Sequence, residues 1–476
     1  MSFRAAQSHV VQGSYLLLLL IFFLHPSIAK ASVFELFGAS PRSVGLVGAL
    51  SAGASGGEAT FHNPAMLSGA SAAQVWVGFS ATQFDLGIQT QRPVCTASVL
   101  SCSGQYVNGY AFRSPQIPSN SNGLQIGWAF PVGGVFRDRL SLGAGLALPN
   151  GHLIRIAGAD PQSPNFAQYE GMPDRLAFLF AGSWRITDWW WVGLGTQVLA
   201  VLDARIDLNL DVVNHRMDKA AVQIGLAPRA RVTAGTALHP MRQLWLGASY
   251  RQRLSLQYQI PTAVAFGQAA SLGIDLGHDT LFTPDTAHLG VAWLLADDQL
   301  LLLADLGYAA WSQAPDPSPY VRLGTSGPLV DAFGLQSALQ VGQDTPQIAL
   351  HYNDTWTPSL AGEWRLQDWR LRLGGQYRPT PAPRALGAFN YLDNNAFVLG
   401  AGIGFRFGTL SEEAGQHVGR MDDPAGPPGR FHVDLGVQSL MLQRRTDIKR
   451  DVNDPEGNLS YGGTVWHVSL AVGSSF

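Results

Sequence analysis

Apolar and polar residues alternate with a period of two along most of this chain. That is the spacing of a strand with one face toward an apolar medium and the other toward water. The clearest run covers 244–260. Leu244, Leu246, Ala248, Tyr250, Leu254, Leu256, Tyr258 and Ile260 share one face, with Gln252 the exception. Trp245, Gly247, Ser249, Arg251, Arg253 and Ser255 share the other. The same division recurs at 139–148, 369–378 and 396–408. In the terminal run it sets Trp466, Val468, Leu470, Val472 and Phe476 against His467, Ser469, Gly473 and Ser475. Strands of soluble sheets usually stop at about 5 or 6 residues, so runs of this length predict membrane strands.

From Ala73 onward the alternation predicts about 14 strands, the even number a closed bacterial barrel requires. Their centres lie near Gly78, Gly127, Gly145, Phe180, Gly195, Arg229, Gly247, Gly290, Asp305, Leu360, Leu373, Gly402, Val437 and Leu470. Long connections (85–121, 149–173, 203–219, 261–284, 312–351) alternate with short ones (132–138, 186–188, 239–243, 296–299, 366–368). Extracellular loops and periplasmic turns alternate in this way. Parity puts the Asp-, Gly- and Pro-containing 409–429 on the periplasmic side as a flexible loop. Trp184, Trp189, Trp190, Trp191, Trp245, Trp293, Trp364 and Trp369 all fall beside the short turns, as an aromatic girdle at one interface predicts. The predicted fold is an all-β transmembrane antiparallel barrel that closes on a strand ending at Phe476. A terminal aromatic there resembles the signal read by the barrel-assembly machinery.

Composition agrees. Of 476 residues, 46% are hydrophobic and only 14% charged, yet no run beyond the N-terminus is long enough for a spanning helix. Basic and acidic residues nearly balance at 31 and 34, which gives nucleic acid nothing to bind. Residues 1–31 read as a signal peptide, with Arg4, an apolar core over 15–24 and the small-x-small sequence Ala29-Lys30-Ala31. Residues 32–72 are rich in Gly, Ala and Ser and lack a long alternating strand, so they are expected to fold into the barrel as a hatch; 73–476 form the barrel. Cys95 and Cys102 are the only cysteines. They are too few for a disulfide scaffold or metal cluster, and after export a local disulfide is favoured over two free thiols.

The hatch segment reads Phe34-Glu35-Leu36-Phe37-Gly38-Ala39-Ser40-Pro41-Arg42-Ser43, then Glu58-Ala59-Thr60-Phe61-His62-Asn63-Pro64-Ala65. Asn before Pro forms turns, and Pro withholds a ladder hydrogen bond. With Ser249-Tyr250-Arg251, Asp305-Leu306-Gly307-Tyr308, Trp311-Ser312, Asn353-Asp354-Thr355-Trp356 and Thr380-Pro381-Ala382-Pro383, this segment resembles the FadL/TodX family of hydrophobic-compound transporters. The resemblance spans nearly the whole mature chain. It departs at Glu58, where an Asp is frequent, and at 391–396, which lacks the Arg that family members commonly place after the Pro-x-Pro loop.

The resemblance implies a 14-stranded barrel in the outer membrane. Its extracellular loops would capture hydrophobic molecules, long-chain fatty acids foremost, and pass them into the lumen. The ligand would then leave passively through a gap in the wall gated by the hatch and a kinked strand. Asn63, Pro64, Ala65, Phe34 and Phe37 are the expected gating residues. By alternation Arg251 and Arg253 face the lumen, as do Arg370, Arg372 and Arg406, and a carboxylate ligand needs such a cation. Lumen acids Glu363, Asp305 and Asp434 are alternative partners for them. In the 261–284 loop, Phe266 and Leu272 are candidate apolar contacts. The serines and histidines form no nucleophile motif or metal spacing, so neither an enzyme nor a cofactor is expected. Expected partners are hydrophobic small molecules and outer-membrane lipid with lipopolysaccharide, and a monomer is expected. The alternatives are a general porin and a structural or adhesive barrel.

Overall fold

The wall strands point their apolar side chains outward. Val77, Phe79, Leu194, Leu289, Leu373, Val468 and Val472 are exposed, while Ser80, Gln197, Arg372, His467 and Ser469 are buried in the interior. This inverts a soluble protein and calls for hydrocarbon around the wall. The computed structural model describes residues 34–70, 72–95, 102–108, 115–150, 162–170, 176–211, 216–266, 269–296, 298–315, 320–333, 351–387, 389–408, 431–451 and 454–476. The expected signal peptide and the 409–429 loop lie outside the described residues.

The strands are β1 (Gln74–Cys95), β2 (Cys102–Asn108), β3 (Ser121–Pro131), β4 (Leu140–Pro149), β5 (Ala177–Thr187), β6 (Trp190–Asp211), β7 (Arg216–Met241), β8 (Leu244–Arg251) and β9 (Leu254–Phe266). They continue with β10 (Ala270–Thr283), β11 (Thr286–Leu295), β12 (Leu300–Ala309), β13 (Tyr320–Ser326), β14 (Thr355–Leu366), β15 (Trp369–Arg378), β16 (Ala396–Phe407), β17 (Phe431–Asp447) and β18 (Asn458–Ser475). Antiparallel pairing runs β1, β3, β4, β5, β6, β7, β8, β11, β12, β14, β15, β16, β17, β18 and back to β1. β8 with β9, and β10 with β11, are halves of two broken wall strands, while β2 and β13 stand on connections. The result is a closed antiparallel barrel of 14 strands, and every centre read from the alternation falls on one of them. Ala73 and Phe476 exchange backbone hydrogen bonds of 3.1 and 2.9 Å at the seam, so both ends meet at the rim that carries the short turns.

Four expectations change. The 261–284 segment is not a loop but most of a β9–β10 hairpin, paired from Ala270↔Phe266 to Thr283↔Leu254. β10 also pairs with β13, and β9 pairs in parallel with the free edge of β6, so these strands form a sheet above the wall. Likewise 203–219 is largely the paired tip of β6 and β7, and β1 runs on to Cys95. The run 244–260 is broken at Gln252 and Arg253, opposite Pro284 and Asp285, where Pro284 has no N–H for the ladder. The break shifts the phase by one: Tyr250 faces outward and Leu254 is buried against Phe34 and Phe61. Finally, Trp184, Trp189, Trp190, Trp293, Trp364 and Trp369 form the outward girdle, but Trp191 and Trp245 turn inward. They pack on each other at 4.7 Å, with His239 stacked on Trp245 at 3.6 Å.

Short helical turns fill the lumen. The helices are Phe34–Phe37, Pro41–Gly45 and Ala59–His62, with 3-10 turns at Gly56–Glu58 and Pro64–Gly69. Leu46, Leu50, Met66 and Leu67 form one apolar cluster with Trp191, Trp245, Leu301 and Leu303 of the wall. From the opposite rim, Phe166 and Tyr169 of the β4–β5 connection descend into a second cluster with Phe37, Phe84 and Tyr461.

Candidate functional site

The hatch starts its turns with side-chain caps. Ser40 Oγ accepts from Ser43 N at 3.0 Å ahead of Pro41, and Asn63 Oδ1 accepts from Ala65 N at 3.1 Å ahead of Pro64. A capping oxygen followed by Pro suits a first turn, whose N–H groups have no partner within the helix. Asn63 does more than cap. Its Nδ2 donates to Ser51 O at 2.7 Å and to Thr236 O of β7 at 3.1 Å, so one buried amide ties two parts of the hatch to the wall.

The wall meets the hatch with bare backbone. A Cβ on Gly193 would collide with the Pro64–Ala65 peptide, one on Gly235 with the Asn63 side chain, and one on Gly247 with the Ser51 carbonyl. These inward glycines are small because the hatch backbone lies against them. Leu46, at the end of the Pro41–Gly45 helix, packs in the same way over Gly374.

A buried chain of charges crosses the same interface. Arg42 Nη1 lies 2.6 Å from Glu58 Oε1 and donates to Gly53 O at 2.9 Å. Arg42 Nε reaches Glu363 Oε2 on β14 at 2.8 Å. Arg372 Nε reaches the same oxygen at 2.8 Å and also pairs with Asp434. Arg365 approaches Glu363 at 3.3 Å. Ser51 N donates to Asp305 Oδ2 at 3.1 Å, and His288 Nδ1 lies 3.0 Å from Asp305 Oδ1. Arg42 and Glu58 are not among the residues expected from sequence to form the site, although both stand in the hatch motif. The signal was an Arg and an acid within a Gly/Ala-rich segment with few other charges.

Between hatch and wall lies a cavity of about 180 Å³. Phe34, Leu36, Phe37 and Phe61 give it an apolar side; Arg251, His62, His288, Asp305 and Arg378 give it a polar one. Arg251 reaches in from the end of β8, its guanidinium 3.8 Å from the Phe61 ring and bonded to Phe61 O at 2.5 Å. Phe34 lies 5.7 Å from Phe61, and Phe37 stacks on His467 at 4.1 Å. His62 bonds Ser43 Oγ at 2.8 Å. Burial, followed by the positive charges of Arg251, His288 and Arg42, holds the His62 imidazole well below its ordinary pKa.

The predicted residues therefore divide. Phe34, Phe37 and Arg251 line this cavity, and Asn63, Pro64 and Ala65 anchor the hatch beside it. Arg253 does not face the lumen: after the break it is exposed, and its side chain bonds Gln313 while its N–H donates to Asp285 at 2.9 Å. Phe266 and Leu272 sit half-buried on the β9–β10 hairpin, away from the cavity. Arg372 and Arg406 are buried inside, and Arg372 has the partners Glu363 and Asp434 named for it. Asp354 accepts from Tyr308 OH at 2.5 Å and Ser312 N at 2.9 Å. The backbone register sets Cys95 opposite Cys102.

Fold and site together define a class, an outer-membrane barrel whose lumen is stoppered by its own N-terminal segment. The chain belongs to the outer membrane protein transport protein family (OMPP1/FadL/TodX), whose model matches residues 23–412. The family is one of outer-membrane transporters of hydrophobic compounds and not of enzymes. A FadL homologue from Pseudomonas aeruginosa superimposes with a TM-score of 0.55 at 15% identity, over 92% of this chain and 98% of that one. The toluene transporter TodX of P. putida gives 0.51 at 14% identity (93% and 99%), and the toluene transporter TbuX of Ralstonia pickettii 0.50 at 16% (93% and 100%). At such identities the likeness is one of fold. No curated protein sequence is significantly similar to this chain.

Proposed function

We propose that this chain is a passive channel for amphiphilic hydrophobic compounds, long-chain fatty acids foremost. The lumen cavity carries this reading. It sets three phenylalanine rings against two guanidinium groups, Arg251 and Arg378, as a molecule with an apolar tail and an anionic head requires. A carboxylate would meet Arg251 while the tail runs along Phe34, Leu36 and Phe37. Each buried methylene would contribute about 0.8 kcal/mol. The cavity, about 180 Å³, is comparable to the roughly 150 Å³ that holds one benzene, so it would grip the head and the first carbons only. The rest of the tail needs the hatch to shift.

Phe266 and Leu272, on the hairpin above the wall, would offer first contact. Asn63, Pro64 and Ala65 would hold the hatch until a ligand displaces it, and release sideways through the wall would follow. A general porin is disfavoured because the lumen is occupied by the hatch. The test is binding of oleate and of toluene to the purified barrel and its Arg251→Ala variant. Weaker oleate binding with toluene unchanged supports a carboxylate site. Equal loss of both, or loss of neither, removes Arg251 from it.

A further inference from the structure

On the outer face of β15, β16 and β17 the surface turns from apolar to basic within a few residues. Phe397 is paired with Tyr377 on one side and Met441 on the other, with the Tyr377 and Phe397 rings 5.3 Å apart. Phe397 and Met441 are exposed outward, where lipid chains would lie. Just beyond this row, toward the rim opposite the short turns, β17 bulges between Leu442 and Arg445. A bulge adds an unpaired residue and re-aims the side chains around it. Here it leaves Gln443 and Arg444 exposed beside the connection 379–395. Gln443 N donates to Asn395 O at 2.8 Å, and Thr380 N to Asn395 Oδ1 at 2.9 Å, which fixes that connection to the bulge.

Between them opens a cleft of about 390 Å³, lined by Arg384, Arg444 and Arg445 with Asn353, Thr380 and Asn395 among others. Among the described residues no carboxylate lines it. The acid nearest to these arginines is Asp447, wholly buried, 3.2 Å from Arg384 Nε and 3.6 Å from Arg445 Nε. Arg384 is exposed, and Arg444 has no ion-pair or hydrogen-bond partner among the described residues. Three cations face two buried carboxylates, Asp447 and Asp393, so positive charge is in excess where Arg384 and Arg444 are exposed. Arg444 stands three residues beyond Met441 along β17, on the side where the apolar outer band gives way to lipid headgroups.

We propose that this cleft binds a phosphate monoester, specifically a phosphate on the glycolipid of the outer leaflet. Planar guanidinium forks suit phosphate oxygens, and Asn353, Thr380 and Asn395 add neutral groups around them. The acyl chains of the same lipid would then lie on the Tyr377–Phe397–Met441 row. The site is separate from the lumen cavity, so its success or failure leaves the transport reading untouched.

The experiment uses the full chain, purified from outer membranes in mild detergent, beside an Arg384→Gln/Arg444→Gln variant. Heat-modifiable gel mobility identifies folded protein, and an Arg444→Ala variant stands in should the double variant not fold. Retained lipopolysaccharide is measured by mass spectrometry. Lipid A, dephosphorylated lipid A and inorganic phosphate are then titrated separately. The proposal expects the folded variant to retain lipid A about tenfold less or weaker still, and dephosphorylated lipid A to bind poorly to both. Equal retention by the variant, or equal binding of dephosphorylated lipid A, overturns it. Displacement of lipid A by equimolar inorganic phosphate overturns the lipid as occupant and leaves a site for free anions.

Discussion

Replacing Arg42 by Met keeps the length of the side chain and removes its charge. Two acids lose their partner at once. Glu363 keeps Arg372 at 2.8 Å and Arg365 at 3.3 Å, so its loss is partial. Among the described residues Glu58 keeps the Ser40 hydroxyl and the Ser55 N–H at 3.2 Å. Stripping one partner from a buried ion pair costs 3 to 5 kcal/mol, and the surviving contacts argue for the lower end, about 3 kcal/mol. That is roughly a hundredfold rise in the ratio of undocked to docked hatch. Hydrogen exchange followed by mass spectrometry reads this directly. Amides of 40–60 should lose about that factor of protection while amides of β14 and β15 keep theirs. Adding Glu58→Gln to R42M should recover part of the loss, because the penalty lies in the orphaned charge. Unchanged protection in R42M, or further loss in the double variant, would refute the reasoning.

Gly247→Val would push a side chain into the Ser51 carbonyl. Overpacking of this kind costs about 1 to 3 kcal/mol, so planar-bilayer recordings should show a leakier channel with an intact wall. His62 predicts a pH dependence. Its imidazole is held below its ordinary value of 6.5 in the docked hatch, so the released hatch binds the extra proton. Docking is then fully present above about pH 6.5 and weakens as the pH falls below it. Conductance should rise on acidification, and His62→Gln should flatten that rise; an unaltered profile counts against His62. For Cys95 and Cys102, facing positions on paired strands bring the Cα atoms to about 4.5–5.5 Å, within disulfide reach. Peptide mapping without reduction should find them linked, whereas two alkylated thiols would show that they are not.

The wall was legible because lipid imposes one rule on every strand. Outward positions must be apolar, and the period of two then counts the strands and tells inside from outside. Trp245 shows how far that rule reaches. Alternation placed it inward, where it lies, although its position beside a turn suggested the girdle. The rule failed for Arg253 because Gln252 and Pro284 interrupt two neighbouring strands, and alternation carries no memory of phase across a break. The 261–284 hairpin was hidden because it stands above the wall, where sides are no longer sorted by lipid. What sequence could not show was the purpose of the inward glycines or of Arg42. Gly193, Gly235 and Gly247 read as merely small until the hatch backbone lies against them. Arg42 and Glu363 are 321 residues apart, a separation over which no local pattern speaks. Arg251 was found because a cation on the inward face of an amphipathic strand stands out in sequence.

The central claim is that this barrel passes hydrophobic compounds under control of its hatch. The direct measurement is uptake of radiolabelled oleate by Gram-negative cells that lack their own fatty-acid channel and express either this chain or the R42M variant, with liposome swelling in sugars as the companion readout. The account predicts oleate uptake well above that of empty cells, altered uptake in R42M, and no swelling in sugars with the native chain. Oleate uptake no better than in empty cells, together with swelling in sugars, would contradict it.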